Sequence, residues 1–353
     1  MDESRLYEIL NQFSRLRIAV VGDFFLDKYL LIDPELDEPS VETGLTAYQI
    51  VGKRRSPGAA GTVVNNLKAL GVGSIDAVGM SGVDGEGYEL RAEFTKLSVN
   101  QEHFYAARER FTPTYTKPMV LSGTDTISER ELNRFDTKNR KPLPVWVENQ
   151  IEKALESLIE QVDAVMVMDQ VSEENCGVIT DRVRETIAQL GKNHPAKILY
   201  ADSRERIGLF KNILIKCNHY EAVGSFYPEY DLSAMAEQRQ PPDDLIEEAG
   251  WKMVEKTKQS VFVTLGIRGQ WVFDVDSPDQ IVKNVAAFPV EGPIDICGAG
   301  DATSSGIVAA LCSGASLAEA ALIGNLAASI TIKQLGTTGT ATPAQLLAAI
   351  KRA

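Results

Sequence analysis

The feature that most restricts this chain is a rhythm. From residue 144 onward, short apolar runs alternate with longer segments of helical spacing. The segment 144–161 contains I-E-K-A-L-E-S-L-I-E, apolar at every third or fourth residue, and predicts a helix. A buried strand follows at 163–168 and ends at Asp169. A helix then runs to Leu190, a strand at 197–201 ends at Asp202, and another at 212–216 leads to Asn218. The same strand pattern occurs earlier, in R-I-A-V-V-G-D at 17–23 and at 74–80, and later at 261–265. Strands separated by helices need crossovers, and right-handed crossovers build a parallel sheet. An α/β fold is therefore expected, with ligands at the carboxyl ends of the strands, where Asp23 and Asp27 fall.

Two stretches break the rhythm. Residues 30–56 are polar and mixed, with Pro34 and Pro39, and close on a strand-like T-A-Y-Q-I-V. Residues 103–121 alternate as two strands, H-F-Y-A-A-R-E-R-F and T-Y-T-K-P-M-V-L. The segment 226–245 reads as a polar loop, and 280–288 as a further strand.

Composition excludes several classes. A net charge of −13 argues against nucleic acid as the main partner, because phosphate backbones call for a basic footprint. No apolar run approaches a membrane span, and the acidic start M-D-E-S-R-L-Y-E-I-L does not read as a signal peptide. The cysteines, Cys176, Cys217, Cys297 and Cys312, show no C-x-x-C spacing, so free thiols in a cytoplasmic setting are expected. No H-E-x-x-H, G-x-x-x-x-G-K-[ST] or G-x-G-x-x-G is present, which leaves zinc hydrolases, Walker-type NTPases and nicotinamide dehydrogenases without a fingerprint.

The chemically most suggestive stretch is D-I-C-G-A-G-D-A-T at 295–303. Gly298, Ala299 and Gly300 form a small-residue turn into an apolar helix, with Asp301 in its first turn. Amides at a helix start lack intrahelical partners and sit at the positive end of the dipole, so they suit a phosphate or developing anion. A carboxylate beside them can take a proton from an attacking hydroxyl. Taken alone, G-A-G-D fits an ordinary acidic helix start better.

The stretch resembles the second signature of the ribokinase/PfkB family of carbohydrate kinases, written D-T-x-G-A-G-D. The resemblance spans about residues 17–345, in the order V-G-D, P-G-A-A, K-x-N-x-x-E, T-L-G-x-x-G, G-A-G-D, G-N-x-A-A. It is closest to the branch that phosphorylates D-glycero-D-manno-heptose 7-phosphate, and it covers the kinase portion only. It implies a ribokinase-like three-layer sandwich: a central, mostly parallel sheet in a single domain over 1–353. A small β lid is expected from insertions at 30–56 and 103–135.

By the same resemblance Asp301 is the general base, with the amides of Gly298, Ala299 and Gly300 as the anion hole. Asp23, Asp27, Gly58, Ala59, Thr62 and Asp169 are the candidate acceptor-binding residues. Asn218 and Glu221 belong to the phosphate side, Glu221 touching Mg²⁺ through water. Thr264, Gly266, Gly269 and Asn325 are the remaining nucleotide contacts. Lys117 and Arg134 are candidates to offset a substrate phosphate. Three departures stand out: Thr62 where the family has a sugar-binding Asn, and Ile296 and Cys297 in place of threonine-type residues.

Each residue also has a plain alternative. Asp23 can simply turn the chain, Asn218 can cap a helix, Thr264 to Gly269 can be a tight hairpin, and Arg134 can be an exposed ion pair. The implied function is ATP-dependent phosphorylation of a sugar or sugar phosphate with Mg²⁺. A monovalent cation such as K⁺ is left open, and a homodimer through the lid is expected. A nucleoside kinase of the same family, or a non-catalytic sensor of sugar phosphate or nucleotide, remains as the alternative.

Overall fold

The computed structural model describes residues 1–123, 128–230 and 239–351. The expected rhythm becomes a nine-stranded sheet. Its order is Lys283–Val285, Gln270–Phe273, Val261–Thr264, Leu214–Asn218, Ile198–Ser203, Ala164–Asp169, Arg17–Gly22, Ser74–Gly82, Phe104–Ala107. Pairing is parallel from Val261–Thr264 through Phe104–Ala107, and antiparallel for the last two strands at the other edge.

Alternation along the interior strand Arg17–Gly22 shows why helices cover both faces. Ile18 and Val20 enter one core, which also takes Leu6, Val63, Phe94, Ile307, Leu326 and Leu346. Ala19 and Val21 enter the opposite core, with Val147, Ile151, Val183, Ile187 and Ile246. A strand buried on both sides must be apolar at every position, as R-I-A-V-V-G nearly is. The result is the expected ribokinase-like three-layer α/β sandwich. Among the described residues no helix is long and apolar enough to cross a membrane.

The lid is a separate five-stranded sheet. Phe24–Ile32 pairs antiparallel with Ile50–Ala59 and parallel with Thr114–Ser122, which also receives Ser128–Glu131 and Phe135–Thr137. Its first strand leaves Arg17–Gly22 across one residue, Asp23. The lid therefore starts earlier than the expected 30–56.

Two strand expectations are corrected. Residues 104–107 do not complete the lid; they extend the main sheet, where Phe104 packs edge-on against Phe24 and Phe94 at 5.4 and 5.2 Å. Alternation marks a strand without saying which sheet it joins. The strand expected at 280–288 is confined to Lys283–Val285. Of the polar 226–245 segment, residues 231–238 lie outside the described residues, as does Arg352 at the expected end of the last helix.

Candidate active site

The helix Ala299–Cys312 begins at Gly298, whose φ of +79° turns the chain sharply into it. Its first turn carries Asp301. Among the described residues no donor bonds the Asp301 carboxylate, though its backbone carbonyl accepts from Ser305 Oγ at 2.8 Å. Burial first, then the nearby Asp202 carboxylate, push Asp301 up to about 7, with Lys216 acting in the opposite direction and Asp27 adding to the rise. A carboxylate titrating near neutrality and free of partners is suited to accept a proton.

The anion hole needs a correction. The amide of Ala299 is not outward-facing; it donates to the Ile296 carbonyl at 3.1 Å, closing the turn on itself. Among the described residues the amides of Gly298 and Gly300 have no such partner. Behind the turn sits Lys216 Nζ, 3.2 Å from where a side-chain carbon on Gly300 would lie. Lys216 pairs with the buried Asp202. Burial opposes its charge, but Asp202 more than restores it and leaves Lys216 above the usual lysine range. Tyr200 donates to Ser304 Oγ and Ser304 to Asp202 Oδ2, each at 3.0 Å, so the pair is anchored to the helix that carries Asp301.

Sequence reasoning missed Asp202 and Lys216 as site residues. The signal was present in L-I-K-C-N: a lysine inside a buried strand needs a carboxylate close by.

The lid brings a second group to the same place. Asp27 lies on the strand Phe24–Ile32 opposite Ser56 and Tyr115. Its carboxylate reaches under Gly58, where a side-chain carbon would sit 2.6 Å from Asp27 Oδ2, so a larger residue there would have to displace that carboxylate. Lys117 Nζ lies 3.4 Å from Asp27 Oδ1 and 3.3 Å from Tyr29 Oη. Burial raises the Asp27 carboxyl, and Lys117 holds it back.

Thr62 is buried in the helix Ala60–Ala69, with its methyl 3.5 Å from the position a Gly298 side chain would occupy. Ala59, just before that helix, holds φ at +53°, a conformation strained for any residue but glycine. Arg134 stacks over Tyr115 and bonds Asp136, the plain reading weighed for it.

Asp23 and Asp169, expected on the acceptor side, are both held by other groups of the protein. The order of strand addition reverses between Arg17–Gly22 and Ala164–Asp169, where an open crevice is expected. Here Asp23 fills it. Its carboxylate accepts from the amides of Gln170, Val171 and Val178 at 2.9, 3.1 and 2.7 Å. The crevice left beside it holds about 20 Å³, room for a water and not a sugar. Asp169 accepts from Ser203 Oγ at 2.7 Å and faces Arg206 at 3.5 Å.

Asn218 and Glu221, expected on the nucleotide side, form a reciprocal helix cap. Asn218 Oδ1 accepts from the Glu221 amide at 2.9 Å, and Glu221 Oε2 from the Asn218 amide at 2.7 Å. The cap leaves one Glu221 oxygen uncommitted at a cleft of about 400 Å³, lined also by Arg204, Tyr220, Gly224 and Ser225. Burial lifts Glu221 to about 7, with Asp202 reinforcing the rise.

Asn325 has structural partners on every polar side-chain atom. Its amide donates to Val285 O and Ala286 O, both at 3.0 Å, and its oxygen accepts from Gln270 at 2.6 Å, so it ties the walls together. Gly269, at φ +91°, meets the Val285 carbonyl so closely that no side chain fits. Thr264 Oγ1 turns back to the Cys217 carbonyl. Of the loop's glycines, Gly266 and not Gly269 borders open space.

The profile of pfkB family carbohydrate kinases matches residues 18–345. Among curated proteins, the chain is 26% identical to a bifunctional protein HldE of Trichlorobacter lovleyi, over 99% of this chain and 66% of that protein. It is 28% identical to a bifunctional protein HldE of Shewanella putrefaciens, over 93% and 62%. The chain thus spans less than two thirds of the length of these relatives. Among solved structures it is similar to phosphofructokinase-2 of Escherichia coli in complex with potassium, with a TM-score of 0.66, 17% identity, and 96% and 99% of the two chains covered. It is also similar to the Methanocaldococcus jannaschii nucleoside kinase, with a TM-score of 0.57, 18% identity, and 96% and 98% covered.

Proposed function

The chain belongs to the pfkB family of carbohydrate kinases, and on that premise we propose that it moves the γ-phosphoryl group of ATP to a hydroxyl of a sugar or sugar phosphate. The observation that carries the reading is Asp301: partly buried, raised to about 7, and without a donor on its carboxylate among the described residues. It would take the acceptor proton as the hydroxyl oxygen attacks phosphorus. The amides of Gly298 and Gly300, backed by the Lys216 ammonium, would meet the charge on the transferring group. Asp27 and Lys117 would orient the acceptor from the lid.

Among the described residues no cluster of three metal-ligating side chains occurs. That fits a hydrated Mg²⁺ held mainly by nucleotide phosphates, with Glu221 as a carboxylate within reach of its water. The cation would neutralise phosphate charge. Both Asp295 oxygens accept amides, from Cys297 at 3.0 Å and Gly336 at 3.2 Å, so dependence on K⁺ is a separate question for the assay. We also propose a homodimer through the lid, where Val41, Leu45, Tyr48, Ile50 and Val51 lie exposed; sedimentation at several concentrations checks it.

The test is ADP release with Mg-ATP over a panel of free sugars, sugar phosphates and nucleosides, with Asp301→Asn as control. A hit lost in the control supports the kinase and names the acceptor class. Turnover undiminished in Asp301→Asn sinks the assignment of the base. Bound ATP with silence across the panel favours the sensor reading that Thr62 suggests.

A further inference from the structure

The cations around the cleft are mostly spoken for. Lys216 pairs with Asp202, Lys117 with Asp27, Arg134 with Asp136, and Arg206 with Asp169. Arg204 is different. Among the described residues its exposed side chain has neither an ion pair nor a hydrogen bond. An exposed arginine needs no partner, so its freedom alone says little. Its position says more.

Its backbone is fixed, because the Arg204 amide donates to the Asp169 carbonyl at 3.0 Å, just past the carboxyl end of Ile198–Ser203. From there its charge is felt on two sides, by Tyr115 of the lid and by Glu221 of the core. It also lines the 400 Å³ cleft beside Glu221. A guanidinium at that seam has five donors in a rigid fork, the geometry that suits phosphate oxygens.

We infer that Arg204 is a phosphate-binding residue of the cleft beside Glu221, its guanidinium placed there to grip a phosphate group of the reacting pair. The inference rests on the kinase reading. In the transfer the acceptor oxygen bonds to the γ-phosphorus, the bond from that phosphorus to the bridging oxygen breaks to leave ADP, and the acceptor proton goes to Asp301. Two phosphates have the chemistry Arg204 would hold: the group in transit, and one already on the acceptor.

Arg204→Ala and Arg204→Lys separate them. Both variants should melt with the wild type, since the side chain is exposed. If the group in transit is held, Arg204→Ala lowers kcat by about 10²–10³-fold with both KM values nearly unchanged. Lysine then restores only part of the rate, and added guanidinium ion at millimolar concentration recovers some of the alanine variant's activity. If the acceptor's phosphate is held, KM rises for the phosphorylated acceptor and not for its unphosphorylated analogue. Wild-type turnover with neither kcat nor KM changed in Arg204→Ala overturns this inference and leaves the kinase standing. A wild type silent across the whole panel overturns both.

Discussion

Asp169 and Asp301 are both carboxylates raised to about 7, in each case first by burial and then by another aspartate, Asp23 and Asp202 respectively. Their surroundings differ. Asp169 is closed in by the Ser203 hydroxyl and by Arg206 and Arg184, and its neighbour Asp23 by three backbone amides. Asp301 has no donor on its carboxylate among the described residues and lies in the first turn of its helix. A displaced titration marks burial in both; what separates them is the hydrogen-bonding capacity that Asp301 leaves unspent beside a turn, which is why the proposal gives the reaction to Asp301 and not to Asp169.

The sharpest way to break that contrast is to neutralise one member of each pair. Asp301→Asn should lower kcat by about 10²–10⁴-fold while the protein stays folded. Asp23→Ala should do the reverse. Stripping the acceptor from three buried amides should cost about 3 kcal/mol of stability, read by denaturant titration, with kcat of the folded fraction nearly unchanged. A catalytic collapse in Asp23→Ala at unchanged stability would return Asp23 to the acceptor site.

Acidity gives a second cut. Activity should rise with pH through about 7 as Asp301 loses its proton. Lys216→Met removes the charge that holds Asp301 down, so that limb of the kcat/KM profile should move to higher pH. The stability sign follows from linkage. A carboxyl raised in the folded state contributes stability that is complete below its unfolded range and is lost as pH rises through about 7. Asp301→Asn should therefore melt above the wild type at pH 8, with the gap closing at pH 5. An equal gap at both values would contradict the titration of Asp301 near 7.

The smallest effect concerns the backbone. Ala59→Gly relieves a φ of +53° and should be stabilising by up to about 1 kcal/mol, a result a melting curve can resolve.

The sheet was legible because a strand buried on both faces is apolar along nearly its whole length, as R-I-A-V-V-G and A-V-M-V-M-D are apart from the one charged residue at an end of each. The helix start that carries Asp301 in its first turn was legible from the small-residue turn before it. The direction of the Ala299 amide was not, since one hydrogen bond to Ile296 decides it. Nor was the fate of Asp23, whose partners lie about 150 positions away at Gln170, Val171 and Val178 and leave no local pattern. Asn325 matched the expected motif position, yet its partners Gln270, Val285 and Ala286 come together only through the tertiary fold.

The interior place of the first strand has a consequence for how the chain is made. Arg17–Gly22 lies between Ser74–Gly82 and Ala164–Asp169. During synthesis the lid strands and Ser74–Gly82 emerge well before residue 164, so one flank of the first strand waits without a neighbour. The amides that close around Asp23 arrive only with residues 170–178. Their capture joins the early and late halves of the sheet, a contact of long sequence separation and therefore a slow one to form.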